Sequence, residues 1–301
     1  MQALRTEIAL WNSARNGHVT PLVVLSRLAP LTLLIGAVLK AISGPMPSQK
    51  FTLLSLAALQ PMLVAAVVPT VLFAVLDRRN FLNATAWKFA GAVQKFDFST
   101  SERERHGALV LFPMGTYSSN ALTAMGGLIL AHACSGNVRV ELASFVLGAS
   151  FLVMGIASFG WWASRRYFFH RFDNWMMETH LSSVAVAVIA ASVPEHEHML
   201  VAAWACRALW RLFTFGGHAD LLVPSVATWA GVLFSILRTG GSGEVWRNVV
   251  GIGGVHCGLV LKMYDTTGRG AWGTAAFHYS TAIGWALFWS WSQTLPLAPT
   301  L

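Results

Sequence analysis

Three histidines stand inside or beside long apolar runs: His180 in HRFDNWMMETHLSS, His256 in VVGIGGVHCGLVLK and His278 in GTAAFHYSTAIGWALFWSWS. Neutral imidazole is a common metal ligand and the usual acid–base group near neutral pH. Imidazoles from three separate segments would make a zinc-type site with a position open to water, so His180, His256 and His278 are candidate metal ligands. The commoner role for each is structural, a hydrogen bond to a neighbouring carbonyl or hydroxyl, and Tyr279, Ser280 and Thr281 offer such partners to His278. Asp173 and Glu178 precede His180 and read as carboxylates at a helix start. Cys134, Cys206 and Cys257 are widely spaced and odd in number, form no C-x-x-C pair, and read as small residues in helix packing.

The elements that must position these groups follow from composition. The 301 residues are 55% hydrophobic and only 11% charged, with a mean hydropathy of +0.55, whereas soluble domains carry about 25% charged residues. A hydrocarbon core about 30 Å thick needs roughly 20 apolar residues per helix. Nine apolar runs meet or approach that length: 22–44, 52–76, 109–132, 142–164, 176–193, 197–214, 221–237, 245–263 and 271–293. Hydrocarbon offers the backbone no hydrogen-bond partner, and runs such as FTLLSLAALQPMLVAAVVPTVLFAVL lack the alternation of a membrane β-barrel. The expected fold is therefore all-α, a polytopic transmembrane bundle of about nine helices.

Charge sets the expected orientation. With nine crossings, 16 of the 21 basic residues fall on the side of the N-terminus and five on the other. That asymmetry places the N-terminus in the cytoplasm and the C-terminus opposite. The net charge of +8 is then a topology signal and a match to anionic lipid headgroups, so the expected partner is the lipid bilayer and not nucleic acid. No cleavable signal peptide is apparent in the first 21 residues. The chain divides into an N-terminal pair of helices (1–76), a polar linker (77–108), a seven-helix core (109–293) and a short tail (294–301). Within the linker, FLNATAWKFAGAVQKF reads equally as an interfacial helix or a solvated connection. Its N-A-T triplet, on the cytoplasmic side, is not expected to be glycosylated.

Two membrane chemistries are weighed against the residues. A retinal protein needs a Schiff-base lysine in its last helix, and no lysine follows Lys262. A proton-coupled transporter usually carries midplane carboxylates, and the predicted crossings show none.

Three stretches of the seven-helix region carry a resemblance. They are GTYSSNALTAMGGLIL with Ser119 and Asn120, SFGWWASRRYFFHRFDNWMM with Ser158 and Asp173, and GTAAFHYSTAIG with His278. Over about residues 97–293 the pattern is similar to the CREST superfamily of seven-helix membrane proteins, which includes alkaline ceramidases and progestin/adiponectin-type receptors. The resemblance implies a zinc site in which one histidine of the second helix and two of the last hold the metal. Ser158 and Asp173 would stand around it, and zinc-activated water would cleave an amide bond. Trp162 and Thr274 stand at two of those three ligand positions, and His278 alone is retained. The acidic segment that binds calcium in ceramidases has only a loose counterpart in KFDFSTSERER.

The expected function is thus an intramembrane enzyme acting on a lipid or isoprenoid. One form is a ceramidase-like hydrolase with an incomplete metal site. The other is a cyclase or isomerase, in which aromatic faces stabilise a carbocation and Asp173 or Glu178 donates the proton. Ser158, Asp173 and His278 are the candidate catalytic residues, and zinc is the one cofactor suggested. The competing expectation is a non-catalytic receptor-like, scaffold or assembly protein that kept the frame and lost the metal.

Overall fold

The computed structural model describes residues 111–136, 138–214, 221–239, 245–266 and 272–293, with isolated positions 67, 68, 70, 71, 74, 75 and 102. Seven α-helices fill these stretches: α1 (Pro113–Cys134), α2 (Glu141–Ser164), α3 (Tyr167–Ser192), α4 (Glu197–Thr214), α5 (Leu222–Thr239), α6 (Val245–Thr266) and α7 (Gly273–Gln293). A 3-10 turn, Pro194–His196, leads into α4. The described part is all-helical, and each helix coincides with one of the apolar runs from residue 109 onward. The two runs before it, and the linker read as interfacial or solvated, lie outside the described residues apart from those isolated positions.

One boundary differs in a way that matters. α3 begins at Tyr167, nine residues before the apolar run that predicted it. Asp173 is therefore about two turns inside the helix and Glu178 deeper still, rather than at a helix start, and His180 is near its middle. The polar opening YFFHRFDNWMMETH is helical because neighbouring helices satisfy its charges, a tertiary effect that an apolar-run reading does not register.

Local chemistry explains the ends that shape the site. α1 opens on Pro113, whose missing N–H costs nothing at a first helical position. The Glu102 carboxylate caps the next two donors, accepting from Met114 N (2.6 Å) and Gly115 N (3.2 Å). Burial pushes the Glu102 carboxyl above its ordinary value, against the pull of those two N–H groups. α2 ends where Arg165 takes a left-handed conformation (φ 53°) and its N–H returns to Trp161 O at 2.8 Å. The Arg165 guanidinium lies 3.8 Å from the Trp161 ring centroid and 5.3 Å from that of Phe112. Backbone bonds Leu111 N→Ala163 O and Phe112 N→Trp162 O then tie the start of α1 to the end of α2.

In the bundle, α1 packs on α2, α2 on α3, α3 on α4 and α5, and α7 on α6, α1 and α3. α1 and α2 approach at backbone distance, since a methyl added to Gly126 would meet the Leu152 backbone and one added to Gly148 the Leu130 backbone. Such small-residue contacts bring helix axes close. The interior is rich in hydroxyls: Thr116, Ser118, Ser144, Ser158, Ser183 and Thr274 are all buried. Many return a hydrogen bond to their own preceding turn, as Ser164 does to Gly160 O at 2.6 Å. The outside is apolar, with Trp210, Phe213, Leu222, Val226 and Leu237 exposed on α4 and α5. Among the described residues one helix, Glu141–Ser164, is long and apolar enough to cross a membrane by length and composition. Leu222–Leu237 and Val250–Lys262 are shorter apolar stretches.

Candidate functional site

Five helix ends converge at one end of the bundle: the starts of α1, α3 and α7 and the ends of α2 and α6. Each brings a polar side chain. His278, a turn and a half into α7, is buried and holds a serine at each ring nitrogen. Ser118 Oγ of α1 lies 2.8 Å from Nδ1, and Ser158 Oγ of α2 lies 3.3 Å from Nε2. The Asp173 side chain of α3 is a polar neighbour of the Ser158 hydroxyl. The three residues expected from sequence to do chemistry, Ser158, Asp173 and His278, therefore stand in one buried polar cluster, joined by Ser118.

Donor counting limits what this chain can do. Ser158 has one hydroxyl proton and two neighbours that each want it. If Asp173 is protonated, it donates to Ser158, which donates to Nε2, and Nδ1–H faces Ser118. If Asp173 is ionised, Ser158 donates to it, and Nε2–H donates to Ser158. One arrangement becomes the other when the Asp173 proton passes to Ser158 Oγ while the Ser158 proton passes to Nε2. The geometry is that of a proton-transfer path between a carboxyl and an imidazole.

A second chain stands beside the first. Asp265, near the end of α6, accepts from both Thr274 N (2.9 Å) and Thr274 Oγ1 (2.7 Å). Thr274 Oγ1 in turn accepts from Lys262 Nζ at 2.6 Å. Thr274 and His278 are one turn apart on the same face of α7, so this clamp fixes the height and rotation of the His278 ring. The Lys262 ammonium sits 4.4 Å from the centroid of the Trp162 ring and within electrostatic range of Asp173 and His278. Trp162 meets His278 edge-on, with ring centroids 6.3 Å apart. Its ring occupies the space beside Gly115, where a methyl would meet it at 2.7 Å.

The residues present do not fit the zinc that the CREST resemblance implies. Of the three ligand positions, the indole of Trp162 has no lone pair to give. The Thr274 hydroxyl is committed to Asp265 and Lys262. An ammonium lies between them, and even two unit positive charges 4 Å apart repel by about 4 kcal/mol at an effective dielectric of 20.

The structure also does not bring His180, His256 and His278 together. His180 stacks on Phe151 (centroids 4.2 Å apart) and lies 3.5 Å from Ser150 Oγ. His256 bonds Ile252 O of its own helix at 2.8 Å and packs on Trp229. Among the described residues no group of three or more His, Cys, Asp or Glu side chains could hold a metal ion. His180 lies near the middle of α3 and His278 a turn and a half into α7, so the three imidazoles differ in height as well as in neighbours.

Other expectations shift by a residue or gain a partner. Ser119 and Asn120 bond to carbonyls of their own turn, and Ser118 is the serine that reaches His278. Glu178, 1% exposed, receives Arg207 NH2 (2.7 Å), Arg211 Nε (2.8 Å) and Arg211 NH2 (3.0 Å), while Arg207 NH1 reaches Ser182 Oγ (2.7 Å). A buried carboxylate therefore does occupy a helix interior, held by an i,i+4 arginine pair of α4. That arginine spacing was visible in the sequence. Lys262 and Asp265 were missed because, at the end of an apolar run, they read as loop charges. The chain matches no protein-family model, no curated protein and no solved structure.

Proposed function

We propose that this chain is an integral membrane enzyme that carries out metal-independent acid–base chemistry on a lipid or isoprenoid substrate. The observation that carries the reading is the buried chain Ser118–His278–Ser158–Asp173, built from four helices at one end of the bundle. Buried polar groups are costly unless paired, and this set is paired in a way that leaves one proton with two seats. Asp173 is the proton donor and acceptor, Ser158 the bridge and His278 the second base. Glu178, the other carboxylate weighed as a donor, is held as a counter-ion by Arg207 and Arg211. Isomerisation or cyclisation fits this set better than zinc hydrolysis, because the positions that would complete a metal site hold Trp162 and Thr274.

The membrane setting is part of the same proposal: all seven described helices cross the bilayer, preceded by two more, with the N-terminus cytoplasmic and the reacting end in the cytoplasmic leaflet. Polar side chains turned inward and aromatic and aliphatic ones turned outward on α4 and α5 support it, since soluble monomers rarely expose large contiguous apolar patches. The non-catalytic reading, a receptor-like or scaffold protein, draws on one observation, the Trp162 ring packed between Gly115 and His278.

The test is turnover by the full chain in vesicles loaded with mixed lipid and isoprenoid extracts, with products followed by mass spectrometry. Asp173→Asn and His278→Ala should each lower turnover by about a hundredfold or more, within the usual span for acid–base groups. Ser158→Ala should do the same, while Ser158→Thr, which keeps a hydroxyl, retains most of it. Products that are equally abundant with wild type and all three disabling variants would move the protein to the non-catalytic reading.

A further inference from the structure

We propose that the ammonium of Lys262 stands in the position a metal ion would take in this cluster and serves as its fixed positive charge. The inference deepens the acid–base reading and rests on it for its functional meaning, but its placement rests on geometry alone. Two residues hold the ammonium and a third stands next to both of them. Thr274 Oγ1 accepts from it at 2.6 Å, the Trp162 ring presents its face at 4.4 Å, and His278 lies one turn from Thr274 and edge-on to the same indole. Indole and hydroxyl are poor metal ligands but good company for an ammonium: a π face attracts a cation, and a hydroxyl polarised by a carboxylate is a strong acceptor. Asp265 supplies that polarisation, since Thr274 donates to it at 2.7 Å. The direction of donation is continuous, from ammonium to hydroxyl to carboxylate.

Among the described residues, Glu102 before α1 and Asp173 on α3 are acidic groups within electrostatic range of Lys262. A single cation thus faces carboxylates contributed by α3, by α6 and by the segment before α1. A metal ion holds together side chains from several helices in this way. Lys262 is a positioning residue here: it acts on the Asp173–Ser158–His278 chain through its charge and through the Thr274 clamp, with no role assigned to it in contact with substrate.

The decisive experiment restores imidazoles at the two positions and asks whether the ammonium blocks them. Full-length protein with Trp162→His and Thr274→His, with and without Lys262→Ala, is titrated with cobalt(II) and zinc(II). Visible absorption of bound cobalt and elemental analysis are the readouts, and neither depends on activity. The triple variant should bind about one metal per chain, and adding His278→Ala should abolish it. The double variant that keeps Lys262 should bind at least a hundredfold more weakly. Equal binding with and without Lys262 would overturn the proposal, as would absence of binding in both.

A second measurement covers the case in which the triple variant does not fold. Thermal unfolding in detergent is compared for Lys262→Met, Asp173→Asn and their combination. The proposal requires coupling, with the double variant losing clearly less Tm than the two single losses together. Strict additivity would sink it. Because both tests work without a substrate, a failed turnover assay and a failed cation placement remain separable outcomes.

Discussion

At the scale of single residues, the interior separates two carboxylates by what each is paired with. Glu178 is enclosed by Arg207 and Arg211, whose side chains are 28% and 23% exposed against 1% for the carboxylate. Asp173 has a serine hydroxyl, not a cation, as its nearest polar neighbour on α2. An ion pair of the first kind is a structural lock, because removing one partner leaves the other charge buried and unsatisfied. Glu178→Gln should therefore destabilise the fold by about 3 kcal/mol, read as a drop in Tm in detergent. Replacing Glu178, Arg207 and Arg211 together by methionine should cost markedly less, because no orphaned charge remains. If Glu178→Gln and the triple replacement unfold at the same temperature, the cluster is not the lock described.

At the scale of elements, close approach of α1 and α2 sets the distance across which Ser118 and Ser158 share one imidazole. That approach depends on particular glycines. Gly148→Val would drive side-chain atoms into the Leu130 backbone and should destabilise by about 2–3 kcal/mol. Gly127 has open space where a methyl would go, so Gly127→Ala should be neutral or stabilising by up to about 1 kcal/mol through helix propensity. Paired thermal melts distinguish the two positions. Similar losses at both would mean that the α1–α2 contact is looser than described. The α6–α7 clamp works at the same scale, since Asp265 and Thr274 set where α7 begins and hence where His278 stands.

At the scale of the whole molecule, the proposed topology puts the end of α1 on the non-cytoplasmic side. Cys134 is exposed there, next to the turn at Ser135 and Gly136. In sealed vesicles of known orientation, a membrane-impermeant maleimide applied from the non-cytoplasmic face should label Cys134 rapidly. The same reagent from the cytoplasmic face should leave it unmodified until detergent is added. Cys206 and Cys257, mid-helix among apolar neighbours, should react slowly from either side. Labelling of Cys134 from the cytoplasmic face alone would invert the topology and move the Asp173–His278 end to the other leaflet.

The helical class and, from residue 109 onward, the position of each helix were legible along the chain, because a run of apolar residues is a local property that the backbone answers with internal hydrogen bonds. The sequence also marked Ser158, Asp173 and His278, since polar groups are conspicuous against apolar surroundings. Which of them meet was decided only by tertiary structure. Helix depth can be counted along the chain, but rotation and neighbour choice depend on packing between segments far apart in sequence. The sequence suggested three histidines sharing one metal site. The packed helices gave them three different sets of neighbours, and in place of the other two imidazoles brought Ser118, Lys262 and Asp265 to the site of His278. The early start of α3 has the same cause, since helix partners made its charged first turns affordable in the interior.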